Sequence, residues 1–166
     1  MIEITTIKLH QIEEVKQIIF AICSEIFQVP EEVIRNNDSL SDIDDMRSPP
    51  GGRFAPSHYL DSKGTFLVLV DDDKVVGSGG IRRLNDEICE LKRMWLLKDY
   101  RGQGFGKKMA QMLLDFAKKA GYKKVRLDCG DEQKQAQAVK LYKQLGFYVI
   151  ERYNDSLCTV FMEKIL

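Results

Sequence analysis

The sequence predicts an α/β fold (an α+β arrangement with a central mixed sheet, mostly antiparallel) flanked by helices. Three observations point there. Short apolar runs alternate at period two and are separated by turn residues, as half-buried strands do. Two longer segments carry apolar residues at helical period. One strand can be reached from its predecessor only through a helix, which makes that pair parallel. The 166 residues suit a single domain spanning 1–166, large enough for a core without disulfide or metal staples.

The elements follow in order. Residues 2–7 (IEITTI) alternate apolar and polar and predict a first strand. Ile12, Val15, Ile18, Ile19, Ile22 and Ile26 form one helical stripe within 11–27. Pro30, whose fixed φ suits the start of a helix, opens a shorter helical stretch through about Ile34. Residues 36–64 are rich in Asn, Asp, Ser, Pro and Gly, and read as a long loop with at most a short helix. Loops of that length inside a domain often line a binding site. From Thr65 a strand, an Asp-rich turn and a second strand form a hairpin. EICELKRMWLL is a third strand, with Glu90, Lys92 and Met94 expected on one face and Leu91, Arg93 and Trp95 on the other. A helix follows RGQGFG, with Phe105, Met109, Met112, Leu113, Phe116, Ala117 and Ala120 on its stripe and Gly121 at its end. KKVRLDC is the strand reached by that crossover, parallel to 88–96. QAQAVKLYKQL is a helix closed by Gly146, and FYVIERY and SLCTVFMEKI are two last strands joined at Asn154-Asp155.

Composition narrows the function. Lys plus Arg and Asp plus Glu number 25 each. A dedicated nucleic-acid binder draws its affinity from a basic excess, which this chain lacks. No apolar run approaches the length of a membrane span. Met1-Ile2-Glu3 begins no basic and then apolar leader, so no secretory signal is expected. Cys23, Cys89, Cys129 and Cys158 show no CxxC spacing, and neither histidine (His10, His58) lies near them. No metal site is expected, and reduced cysteines fit a cytoplasmic protein.

The chemistry concentrates at Arg101-Gly102-Gln103-Gly104-Phe105-Gly106-Lys107-Lys108, between a strand and a helix. Glycines let backbone amides turn toward an anion with no Cβ in the way. The helix start adds unpaired N–H groups and partial positive charge, so the segment suits a pyrophosphate. It is not a P-loop, because Lys107 is followed by Lys108 rather than Ser or Thr. Nor is it a Rossmann turn, since its glycines fall at alternate positions past mid-chain.

Arg101, Gly104 and Gly106 fill the fixed positions of Q/R-x-x-G-x-G/A, so the segment resembles the coenzyme-binding motif of the GNAT superfamily of N-acetyltransferases. Ala138-Val139-Lys140-Leu141-Tyr142-Lys143-Gln144-Leu145-Gly146-Phe147 is similar to a second motif of that family, A-[I/V]-x-L-Y-x-x-x-G-F. ELKRMWL resembles the strand placed before the coenzyme loop. The likeness is strongest over residues 65–150 and fits the order of elements throughout.

This resemblance implies a GNAT-like sheet whose parallel pair splays apart to admit acetyl-CoA as cosubstrate, with no metal. Met94, Trp95 and Leu96 would offer backbone to the pantetheine, and one N–H would face the oxyanion. Gly102, Gln103, Gly104, Phe105, Gly106 and Lys107 would hold the pyrophosphate, with Arg101 and Lys108 adding charge. Gln135 stands where relatives often carry Asn and would reach the pantetheine. Tyr142 would protonate the departing thiolate. An amine of pKa ~10.4 is neutral in only about one molecule in a thousand at pH 7, so a base is needed. Glu90 is the first candidate, eleven residues before Arg101, and Asp128 the second.

The acceptor would sit beside the loop within 30–60 and the last strands. Glu31, Glu32, Asp38, Asp42, Asp44 and Asp45 face only Arg35 there, as a cation-attracting cluster or a solvated face. Arg47 and Arg53 are candidates for a substrate carboxylate, and Arg82 or Arg83 for the acceptor pocket. The expected activity is direct acetyl transfer to a small-molecule, amino-acid-like amine, in a chain that also suits a homodimer. The alternatives are a protein N-terminal or lysine acceptor, a non-catalytic acyl-CoA sensor, or another nucleotide-binding α/β protein.

Overall fold

The computed structural model describes residues 1–44, 46, 59–60 and 63–166. Strand β1 (Ile2–Thr6) leads through a 3-10 turn into α1 (Ile12–Phe27), α2 (Glu31–Asn37) and the four-residue α3 (Ser41–Asp44). Strands β2 (Thr65–Asp71), β3 (Lys74–Arg83) and β4 (Ile88–Leu96) follow, then α4 (Phe105–Lys119), β5 (Lys124–Cys129), α5 (Ala136–Gln144), β6 (Tyr148–Ile150) and β7 (Val160–Ile165). They form one seven-stranded sheet in the order β1-β2-β3-β4-β5-β7-β6. Its only parallel pair, among the described residues, is β4 with β5; the other neighbours are antiparallel.

The helices end where backbone chemistry directs. Pro30 caps α2, and Gln28 in the left-handed region stops α1. Gly121 and Gly146, both at φ +92°, follow α4 and α5. No described helix is long and apolar enough to cross a membrane.

Each face of the sheet carries its own core. On one, Met109, Leu113 and Ala117 of α4 and Val139 and Tyr142 of α5 pack on Leu91, Leu127 and Cys129. On the other, Ile12, Val15, Ile19 and Cys23 of α1 meet Leu40, Ile43, Val68 and Val70. Burying one such Leu or Ile stabilises by roughly 1.5–3 kcal/mol relative to exposing it.

Two sequence expectations are corrected. The alternation expected along β4 breaks at Arg93, whose φ is +59°. The register with β3 shifts there, between Ser78 and Gly80, as in a β-bulge. Met94 therefore leaves the face of Glu90 and Lys92 and enters the core under α4. It lies so close to Gly79 that a Cβ there would stand 2.3 Å from the Met94 sulfur. Arg93 is turned to the opposite face, with Lys92. The second correction concerns the last strands. β6 keeps only three residues, and 151–159 form an irregular loop. The Arg152 guanidinium ties that loop, donating to the carbonyls of Asn154, Ser156 and Cys158.

Candidate active site

Strands β4 and β5 pair only at Ile88–Lys124, Cys89–Val125 and Glu90–Arg126. Beyond them the strands part, and among the described residues the β5-facing edge of β4 has no strand partner from Leu91 to Leu96. A cleft of about 790 Å³ opens there. Lys92, Arg93, Met94, Trp95, Asp128, Gln135, Tyr142 and Cys158 are among its walls. Backbone groups on such an edge hold N–H and C=O ready for a ligand that runs along it. The indole N–H of Trp95 is buried in the same wall with no partner among the described residues.

The glycine turn lies between β4 and the start of α4. Gly102 and Gly104 sit at φ +74° and +86°, a region that L side chains rarely adopt. A Cβ at either would meet no atom within 4 Å, so the turn is open on its outer side. Gly104 is the N-cap of α4, no side chain caps the helix, and no acid occupies its first turn. The first backbone donor of the helix is Lys108, to Gly104 at 3.0 Å. The amides of Gly102 to Lys107 donate to no described group, an arrangement that suits an anion. Lys107 and Lys108 are exposed beside them. Arg101 is turned elsewhere: its Nε donates to the Leu96 carbonyl at 2.8 Å, and its guanidinium makes a bidentate pair with Glu25 of α1. It ties α1 to the end of β4 instead of adding charge to the turn. Gln103 Nε2 donates to the Asp99 carbonyl.

Tyr142 reaches the cleft from α5, 6% exposed, with its ring edge-on to Phe147. Its hydroxyl bonds to no described group, and burial pushes it well above the usual tyrosine range. It is therefore a protonated donor at neutral pH, with no partner among the described residues. Gln135 caps α5 and accepts from the amides of Gly130 (2.6 Å) and Asp131 through Oε1. It braces the loop at the end of β5. Cys129 also lines the cleft, but burial pushes its thiol up to about 12, which leaves little thiolate.

At the cleft, the face of the sheet opposite α4 carries polar side chains. Glu90 is 1% exposed. Its Oε1 accepts from Arg82 at 2.7–2.8 Å and its Oε2 from the Tyr153 hydroxyl at 2.7 Å, so both oxygens are engaged. Asp128 accepts from Asn154 (2.9 Å) and Ser156 (2.8 Å), both on Oδ2. Burial works to raise its carboxyl, but the Lys92 charge and those two hydrogen bonds outweigh burial and hold it low. Lys92 Nζ lies 3.6 Å from Glu90 and 3.8 Å from Asp128 Oδ1, beyond hydrogen-bond reach of either.

Arg93 fastens the bulge. Its guanidinium binds Asp38 at the end of α2 (2.5 and 3.2 Å) and Asp42 of α3 (2.6 and 3.0 Å). Tyr59 adds its hydroxyl to Asp42 at 2.7 Å, and Ser78 donates to the Arg93 carbonyl at 2.8 Å. For Asp42, burial works to raise the carboxyl, but the Arg93 and Tyr59 contacts outweigh it and hold it at about 2.

Met94, Trp95, Gln135, Tyr142 and the second-choice carboxylate Asp128 thus meet at one cleft, while the glycine turn and Leu96 stand at the end of β4. Of the acidic run, Asp38 and Asp42 turn inward to Arg93, Asp44 pairs with Lys16, and Glu31 with Arg35. Arg82 lines the cleft, whereas Arg83 pairs with Asp86 at the surface. Asp45, Arg47 and Arg53 lie outside the described residues. Lys92, Arg93, Tyr153 and Ser156 are not among the site residues that the sequence motifs single out. The only signal was the excess of acid over base in 31–46, which an inward-facing Arg explains.

Comparison with known proteins agrees with this geometry. A family model described as the acetyltransferase (GNAT) family matches residues 24–147. The uncharacterized N-acetyltransferase YjgM of Escherichia coli K12 is 37% identical over 96 residues, 56% of each chain. The chain thus spans about half the length of the curated relatives it matches. Among solved structures, a GNAT-family acetyltransferase from Staphylococcus aureus superposes at TM-score 0.83 with 22% identity over 99% of both chains. A PaiA N-acetyltransferase from Thermoplasma acidophilum, in complex with coenzyme A, superposes at TM-score 0.75 with 20% identity, over 100% of this chain and 99% of that one. The splayed parallel pair, the amide turn at the head of α4 and the match over most of the chain agree: the protein belongs to the GNAT family of acetyltransferases.

Proposed function

We propose that the chain is an N-acetyltransferase that moves the acetyl group of acetyl-CoA directly to the primary amine of a small, amino-acid-like molecule. The observation that carries this reading is the opening between β4 and β5, with a ring of unpaired amides beyond one end and an unpartnered Tyr142 hydroxyl in its wall. Coenzyme A bound to the Thermoplasma relative supports the choice of cosubstrate.

In this reading the amides of Gly102 to Lys107 bind the pyrophosphate. The Met94–Leu96 edge of β4 aligns the pantetheine, and one of its amides faces the charge that develops on the carbonyl oxygen. Acetyl-CoA supplies an activated acyl carbonyl. The amine nitrogen forms its bond to that carbon as the carbon–sulfur bond breaks. Tyr142 gives its proton to the sulfur and regains one from solvent. The amine proton passes to water on the opposite face, where Asn154 and Ser156 reach Asp128 only on Oδ2 and both oxygens of Glu90 are engaged. Glu90 holds Arg82 and Tyr153 in place.

Calorimetric titration tests the coenzyme assignment. Acetyl-CoA and coenzyme A should bind, ATP should bind more weakly, and Gly104→Val should abolish binding in a protein that still melts cooperatively. ATP binding tighter than acetyl-CoA would overturn the reading.

A further inference from the structure

The proposed reaction leaves the acceptor described only as an amine, and the polar face of the cleft narrows it. Arg82 is committed to Glu90, and Arg93 to Asp38 and Asp42. Lys134 reaches the Phe27 carbonyl at 3.3 Å. Among the described cations that line the cleft, Lys92 alone has no hydrogen bond, although its side chain is only 18% exposed. On the acid side, both oxygens of Glu90 are engaged, whereas Asn154 and Ser156 both donate to Asp128 on Oδ2, so that Oδ1 faces the Lys92 ammonium, with the Cys158 thiol also against the carboxylate. One half-buried cation and one carboxylate oxygen therefore face each other across 3.8 Å, the cation without a hydrogen bond.

This pair lies on the face opposite Tyr142 and α4. Arg126 and Asp128 of β5 point there, whereas Leu127 and Cys129 point to the Tyr142 side. The two sides of the opening thus differ in chemistry: an apolar wall with an uncharged donor on one, and an unsatisfied ion pair on the other. A ligand that carries both charges on neighbouring groups satisfies the pair best. A cation alone would meet Lys92, and an anion alone would meet Asp128.

We propose that Lys92 and Asp128 form the acceptor subsite, Lys92 binding a carboxylate and Asp128 the adjacent ammonium, so that the acceptor is a free α-amino acid or its close analogue. This rests on the acetyltransfer reading above. A carboxyl held low, as that of Asp128 is, orients an ammonium well and strips its proton poorly. Asp128 is then the group that positions the amine, and its proton passes to water. Peptide N-termini, whose α-carbonyl is an amide, lack the charge that Lys92 takes.

The test is thiol release from acetyl-CoA with the twenty free amino acids, their carboxamides and the matching decarboxylated amines. The expected result is that the preferred free acid exceeds its carboxamide and its amine in kcat/KM by about 10- to 100-fold, the range for hydrogen bonds to charged groups. Lys92→Met should bring that ratio close to one, and Lys92→Arg should restore part of it. A carboxamide or simple amine used as well as the free acid would overturn the subsite, as would an unchanged ratio in Lys92→Met, with acetyltransfer itself left standing. Acetyl-CoA binding with no thiol release from any amine would overturn the acetyltransfer reading and the subsite together.

Discussion

Tyr142 illustrates how one residue separates folding from chemistry. Its ring is packed against Phe147 in the core, yet its hydroxyl bonds to nothing described. Removing an unbonded hydroxyl leaves no acceptor orphaned, so Tyr142→Phe should melt within about 1 kcal/mol of the native protein. If Tyr142 protonates the thiolate, turnover should fall by roughly 10²-fold, the lower range for general acid catalysis, with little change in acetyl-CoA affinity. Steady-state kinetics beside calorimetry measures both, and full activity in the Phe variant would remove the acid role. The Tyr in L-Y was legible because a motif surrounds it. Lys92 was not, because its meaning depends on which neighbours are already engaged. Arg101 shows the reverse: its motif position was plain, but its side chain answers to Glu25 in a helix that the motif does not include.

At the scale of elements, the bulge in β4 is held from three directions: Ser78 from the neighbouring strand, Asp38 from α2, and Asp42 from α3. A non-glycine residue at φ +59° is costly by itself and persists where its surroundings fix it. The clamp carries a pH signature. Asp42 is held at about 2, below the unfolded carboxylate value. Its contribution, about 2 kcal/mol, is therefore complete above pH 4–5 and disappears as the pH falls toward 2. Denaturant melts between pH 5 and 2 should show a steeper loss of stability in the native protein than in Asp42→Asn. Parallel curves would mean that the pairing leaves the carboxyl unshifted. Periodicity made the helices and the strand order readable, since burial repeats along each element. It could not show the bulge, because no sequence pattern marks a left-handed Arg and its partners lie 51 and 55 residues away. The last strands were overread for a related reason: alternating residues in 151–159 are tied by Arg152 to loop carbonyls instead of to a neighbouring strand.

At the scale of the molecule, the sheet separates two cores, and the candidate chemistry lies where the pairing of β4 with β5 stops. Strands β1 to β4 form one panel and β5, β7 and β6 another, joined along the backbone by three residue pairs. The crossover through α4, readable from the sequence, is what made the parallel pair predictable; the length of the paired stretch was not, because it depends on how far the two panels diverge. If the coenzyme arm lies along β4, it takes up backbone groups that a strand would otherwise take. Hydrogen exchange of the amides from Lys92 to Leu96 should then slow when acetyl-CoA is added, while exchange at β1 and β2 changes little. Equal protection with and without the coenzyme would place the arm elsewhere. On that reading the gap would act as a joint as well as a binding site: the two panels meet along a short backbone seam, and a ligand laid into the opening would splint them together.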